Sequence, residues 1–393
     1  MKAFLSRPFS LTVDALLRAL LPRRHAVPPA LTERAIVPGI ANARFWMDRD
    51  LAPFINSVIE DNQRETAAFA NAGKQIDEFP LNLLAVSGGS DTGAFSAGLL
   101  AGWSAHGTRP QFRVVTGISA GALVAPFAFL GPKYDDVIRH IATSIGPKDV
   151  FHPRSLFTRL ASDGMADSKP LARLVASHVT PELLAAIATE YGKGRVLQIG
   201  TTDLDSGRPV TWNMGAIASS AAPGALDLFR SVMIASMSIP GAVSPVMIDV
   251  EVDGERFQEM HVDGGVLAQV FAYPSRTIEE LNRATGTRFR RDRNVYVIRN
   301  GKLQPDWSET KRRTLGIGSR AISALIQSQG INDLDRIFHT AQMDGANFYL
   351  AHVGSDFNHP HEQKFDSEYM KRLFDYAYQL GGNGYPWLKA PLG

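Results

Sequence analysis

The chain contains no cysteine among its 393 residues. That excludes a disulfide scaffold, a thiol nucleophile, a thiolate metal site and a lipidated cysteine. Neither sign of charge dominates: 41 Lys and Arg stand against 39 Asp and Glu, for a formal net charge of +2. No basic stripe interleaved with aromatic residues accompanies that balance, so no nucleic-acid partner is expected. Long unbroken apolar runs are missing as well. The uncharged stretches 114–132, 210–226 and 231–248 are each interrupted by Gly or Pro, as by Gly117, Gly121 and Pro126 in the first. They read as buried α/β core rather than membrane spans. What remains is 45% hydrophobic and 20% charged residues, the composition of a globular chain with a substantial core. There is no internal repeat and no low-complexity tract.

The N-terminus carries a short apolar stripe. Val13, Leu16, Leu17, Leu20 and Leu21 share one helical face that ends at Pro22, next to Arg18, Arg23 and Arg24. Asp14 and Arg18 break the apolar run that a signal peptide needs. Two readings follow: a helix docked on the protein's own body, or peripheral membrane contact through residues 10–24. The compartment is left between cytoplasmic and peripheral membrane, with export still open. Prolines 22, 28, 29 and 38 make residues 22–50 an extended lead-in. The expected organisation is an N-terminal extension over 1–50, a catalytic core over 80–300, and a C-terminal helical part over 301–393 packed on the same domain.

From Asn82 onward the pattern alternates. Leu83–Val86 reads as a strand, Ala94–Trp103 as a helix, Phe112–Thr116 as a second strand, and a second helix runs through Phe129. Repeated strand–turn–helix predicts a parallel sheet covered on both faces. Ser168 and Thr180, each before a proline, read as helix N-caps. Hairpins are expected across "DLDSGR", between Val196–Thr202 and Pro209–Asn213, and across "DGER", between Pro245–Val252 and Phe257–Val262. A strand at Asn294–Ile298 and helices near 310–328, 332–343 and 367–380 complete the body.

Two turns carry chemistry. "GISAG", Gly117 to Gly121, places Ser119 in a G-x-S-x-G between a strand and a helix, where the sharp turn exposes the hydroxyl. "SGGSDTG", residues 87–93, ends the strand before it. Such a glycine turn aims free N–H groups at negative charge, and Gly88, Gly89 and Ser90 are its candidate donors. A dinucleotide site fits poorly, because Ser90 holds the third glycine position and Thr108 and Arg109 stand where an acid is needed. A phosphate-binding P-loop would need a lysine that is missing. An oxyanion hole for a carbonyl attacked by Ser119 is the better reading. The base stays open at this level. His261, His339, His352, His359 and His361 all follow Ser119 in the chain, and each fits a Ser–Asp–His order. Asp263, in "HVDGG" with Gly264 and Gly265, is the other candidate.

Three motifs in order now stand out: the glycine turn with Gly93, G-x-S-x-G thirty positions later, and Asp-Gly-Gly near the end of the core. With "TTDLDSGRPVTW" and "IASMSIPGAVSPV" between them, residues 80–275 resemble the patatin-like phospholipases, a bacterial branch most of all. The resemblance implies an α/β fold, a three-layer α/β/α sandwich with a mostly parallel central sheet. It implies a lipid acyl hydrolase with Ser119 as nucleophile, Asp263 as its base without a histidine, and oxyanion donors at Gly88 and Gly89. It also implies a lipid or ester substrate and neither a metal nor an organic cofactor. The chain departs from the family's Asp-Gly-Gly-Gly-x-Arg-Gly turn at Ser87, Ser90 and Thr92. The oxyanion role survives Ser90 if its φ stays negative. The rival readings are an α/β-hydrolase-type esterase with a histidine triad and a catalytically silent lipid-binding protein of the same fold.

Overall fold

The computed structural model describes residues 24–391, apart from 50, 151, 154–165, 287–290, 306, 308, 311 and 362. The apolar stripe from Val13 to Leu21 lies outside the described residues. In chain order the elements are β1 (Arg44–Trp46), α1 (Ala52–Asn71), β2 (Leu81–Val86), α2 (Ala94–His106), β3 (Val114–Gly117), α3 (Ala120–Leu130) and α4 (Asp135–Ser144). A small pair, β4 (His152–Pro153) and β5 (Ala166–Asp167), precedes α5 (Lys169–His178) and α6 (Pro181–Gly192). Then come β6 (Val196–Asp203), β7 (Arg208–Asn213), α7 (Ala225–Ser236), β8 (Val246–Val252), β9 (Glu255–Asp263) and β10 (Arg293–Arg299). The chain closes with α8 (Thr314–Met343), β11 (Asn347–His352) and α9 (Ser367–Gly382).

Alternation along the strands decides the layers. In β2, Leu84 and Val86 enter one apolar core while Leu83 and Ala85 enter another. In β10, Ile298 joins the first core, and Val295 and Val297 join the second. A strand apolar on both faces has to be covered on both sides. The second cover is α8, through Leu334 and Ile337. The main sheet runs β1-β7-β6-β3-β2-β10-β11, with β9 antiparallel to β6 and to β8. From β6 to β11 every neighbouring pair is parallel. This is the expected three-layer α/β/α sandwich with a mostly parallel central sheet.

The small residues after the glycine turn have a packing reason. Gly98 and Gly102 of α2 lie against the backbone of Phe374 and Tyr378 in α9, with no room for a Cβ. Local details depart from the sequence reading in several places. The Ser168 hydroxyl makes no cap bond; the Asp167 carboxylate accepts from the Lys169 N–H at 3.1 Å instead. Thr180 does cap, accepting from the Leu183 N–H at 3.3 Å. The two helices expected near 310–328 and 332–343 are one continuous α8. Residues 301–393 also contribute a strand, β11, beside β10. The lead-in adds β1 to the sheet edge and bridges Ala26 to Gln258 and Ile36 to Glu251. Arg24, expected on a membrane-facing stripe, pairs with Asp205.

Candidate active site

Ser119 sits between the end of β3 and the start of α3 with φ +54° and ψ −123°. An L-residue rarely adopts that conformation, and it persists only where the surroundings over-determine it. Here they do. A Cβ on Gly117 would meet the Gly121 carbonyl oxygen at 2.5 Å, and one on Gly121 would collide with the Val86 carbonyl. The Ser119 N–H donates to Ser236 Oγ at 3.0 Å, and that hydroxyl donates to the Gly200 carbonyl at 2.7 Å.

Asp263 ends β9 and reaches the same point by sheet order. β7 takes one edge of β6, and β3 and β9 share the other end to end: β3 pairs at Val196–Ile199 and β9 beyond it at Thr201–Asp203, Thr201 opposite Asp263. The Asp263 N–H donates to the Ser238 carbonyl at 2.9 Å, and its Oδ1 accepts the Gly265 N–H at 2.7 Å. Gly264 allows β6 to approach: a Cβ there would meet the Gly200 carbonyl oxygen at 2.6 Å. Burial pushes the Asp263 carboxyl up to about 7, against the opposing pull of hydrogen bonds from the Ser119 hydroxyl and the Gly265 N–H. A buried carboxyl beside a serine hydroxyl, with a pKa near neutral, suits proton transfer.

The glycine turn lies beside both. A Cβ on Gly88 would be 3.2 Å from Ser119 Cβ. The Gly88 N–H, however, already donates to the Gln269 carbonyl at 2.9 Å, which removes it from the free donors. Among the described residues, no hydrogen-bond acceptor takes the N–H of Gly89 or of Ser90. Ser90 has φ +56°, so the negative φ assumed for a serine in this turn is not realised. The serine occupies a conformation that suits glycine, at a cost of about 1–2 kcal/mol.

Sequence reasoning missed what holds this turn. Asn300, just past β10, donates its N–H to Ser87 Oγ and its side-chain amide to the Ser87 carbonyl, both at 2.8 Å. Its Oδ1 accepts the Ser96 N–H at 3.0 Å. No signal in the chain links position 300 to position 87. Thr92, where the family has arginine, donates to the Gly89 and Asn300 carbonyls. Asp91 is fully buried, its Oδ2 accepting from His361 Nε2 at 2.6 Å and from the Phe365 N–H at 2.7 Å.

Each candidate histidine is occupied elsewhere. His361 holds Asp91. His261 is buried between Thr201 Oγ1 at 3.0 Å and Glu259 Oε2 at 3.1 Å, and Glu259 pairs with Arg44. His352 Nδ1 lies 2.8 Å from the Val353 carbonyl, while His339 and His359 pack on Phe338 and Phe357. Among the described residues, none bonds Ser119.

A cavity of about 430 Å³ opens onto the Ser119 hydroxyl, walled by Ala97, Leu123, Phe127, Ile141, Val243 and Met370. Its one charged lining side chain among the described residues is Lys364. An apolar pocket of this kind suits an apolar ligand. A larger, more polar cavity of about 750 Å³ lies behind Ile118 and Gly264 and does not include Ser119. Among the described residues, no cluster of three or more His, Asp or Glu forms a metal site.

Among solved structures, the crystal structure of VipD from Legionella pneumophila aligns over 77% of this chain and 67% of that chain, at 12% identity. Its TM-score of 0.32 is too low to bear on the chemistry. A search of curated proteins gives no match. Residues 84–274 match the family model described as patatin-like phospholipase. This segment holds Ser119 and Asp263 alike, and its likeness to the patatin-like phospholipases implies lipid acyl hydrolysis.

Proposed function

We propose that the protein is a serine lipid acyl hydrolase working through a Ser119–Asp263 dyad. The observation that carries this reading is Ser119, on a strained elbow at an apolar cavity, with its hydroxyl favouring the ionised form of the buried Asp263 carboxyl. The hydroxyl proton passes to Asp263 as Oγ attacks the ester carbonyl. The resulting oxyanion takes the N–H groups of Gly89 and Ser90, two donors already oriented before reaction. Collapse breaks the bond to the alcohol, which leaves with the proton from Asp263. Water, deprotonated by Asp263, then attacks the acyl-serine, and Asp263 passes that proton to Ser119 Oγ as the C–Oγ bond breaks and the fatty acid leaves. A fluorophosphonate probe should modify Ser119, and modification of another serine overturns the assignment.

A triad needs a histidine on Ser119, and the five candidates are bonded or packed elsewhere. A silent lipid-binding protein keeps only the strained Ser90 in its favour. Ser90→Gly should therefore hold or raise kcat and raise Tm slightly, whereas Ser90→Val should lower kcat, since a β-branched residue resists positive φ. Equal kcat in all three would release the turn from catalysis.

The pH dependence follows from burial. Asp263 acts as base only when ionised, so kcat/KM should rise with one-proton slope through a pH of about 7 and then level off. Stability runs the other way. The folded carboxyl titrates above the ordinary aspartate value of 3.8, so its ionisation costs stability as pH rises from there toward 7. The Tm of Asp263→Asn should exceed that of wild type most at pH 8, and the excess should shrink as pH falls toward 4. A flat pH–rate profile overturns the base.

Peripheral membrane contact through residues 10–24 is proposed on its apolar stripe, now without Arg24. Deleting residues 1–22 should lower activity on vesicles and leave a soluble short-chain ester untouched. Equal vesicle activity would return the segment to the protein's own packing.

A further inference from the structure

The first half of α8 is exposed nearly all round, apolar residues included, and a few polar side chains hold it to the protein. Gln327 Nε2 donates to the Lys302 and Leu303 carbonyls at 3.1 and 3.0 Å, and its Oε1 accepts from Arg299 at 2.8 Å. Ser319 lines the Ser119 cavity. Its large apolar residues stand in the open: Ile317, Ile322, Leu325 and Ile326 are 56%, 59%, 70% and 44% exposed. None of residues 316–329 is buried.

This exposed apolar surface continues to the cavity mouth. Ile239, itself 42% exposed, lines the same cavity as Ser119. Val266, three residues past Asp263, is 40% exposed, and its carbonyl accepts from Gln329 at 3.4 Å. The charge is of one sign. Arg312 and Arg313 are exposed at the start of the helix, and no acid occurs between Glu309 and Asp333.

We propose that the outward face of α8 docks on an anionic lipid bilayer and sets the mouth of the Ser119 cavity against it. The proposal rests on the hydrolase reading above for its substrate class. Exposed apolar residues contiguous with a lipid-sized cavity bury into the acyl boundary, and the acid-free basic segment meets anionic head groups. A second copy docking through the same face would bring two such cationic segments together, which disfavours it.

The test uses the full-length Ser119→Ala protein in flotation with phosphatidylcholine vesicles, with and without about one third phosphatidylglycerol. The protein should float with the anionic vesicles, and added salt should weaken the binding. Leu325→Glu/Ile326→Glu should cut the bound fraction about tenfold or more. Arg312→Glu/Arg313→Glu should cut it on anionic vesicles alone. With Ser119 restored, Leu325→Glu/Ile326→Glu should turn over a soluble short-chain ester at the wild-type rate, which also reports an intact fold. No flotation, or flotation unchanged by Leu325→Glu/Ile326→Glu, overturns the proposal. So does a dimer, seen by light scattering and broken by this variant, without vesicle binding. Failure of the hydrolase reading looks different: ester turnover would survive Ser119→Ala.

Discussion

Ser119→Ala should abolish turnover of both a p-nitrophenyl ester and a phospholipid, by on the order of 10⁴-fold or more, because no covalent intermediate can form. Its Tm should stay close to wild type. The side chain is small, and alanine meets the same backbone constraint at φ +54° that serine does. Ser119→Gly separates the two properties. It should be equally inactive yet more heat-stable, since glycine reaches this conformation without the Cβ clash. Thermal melts and single-turnover assays on the three proteins check this together. Residual turnover in Ser119→Ala above about one per cent of wild type would place the nucleophile elsewhere.

Asp263→Asn should lower kcat by on the order of 10²–10⁴, the scale of a general base. The amide is nearly isosteric, so the Gly265 and Ser238 contacts at this strand end keep their spacing while the proton acceptor is lost. Fluorophosphonate labelling of Ser119 should slow in parallel, a readout that a merely structural carboxylate would leave alone. The histidine variants supply the contrast. His261→Ala removes a buried ring that bridges Thr201 and Glu259 and should lower Tm well before it lowers kcat. His361→Ala leaves the fully buried Asp91 without one of its partners beside the glycine turn, so it should reduce kcat modestly. A histidine variant as inactive as Asp263→Asn would favour a triad.

Much of this molecule was legible in its sequence, for a local reason. Apolar alternation in Leu83–Val86 and Asn294–Ile298, glycines at 117 and 121, and the Asp-Gly-Gly at 263–265 act over a few residues. Backbone sterics and two-sided burial translate such patterns directly into strand, elbow and turn. They determined the layered fold, the strand–elbow–helix around Ser119 and the candidacy of Asp263.

Tertiary structure decided what depends on distant chain. Ser119 and Asp263 meet because β3 and β9 follow one another along the same edge of β6, a pairing order that no local pattern specifies. The Gly88 N–H is spent on a carbonyl at position 269, and Ser87 is latched by Asn300. Ser90 is held at positive φ by a turn that suits glycine. The exposed apolar residues of α8 are the plainest case. Helical periodicity sorts polar from apolar sides, and burial preference alone would turn the apolar side inward. Here polar groups at Lys302, Leu303 and Arg299 are satisfied by Gln327, and the isoleucines and Leu325 are left in the open.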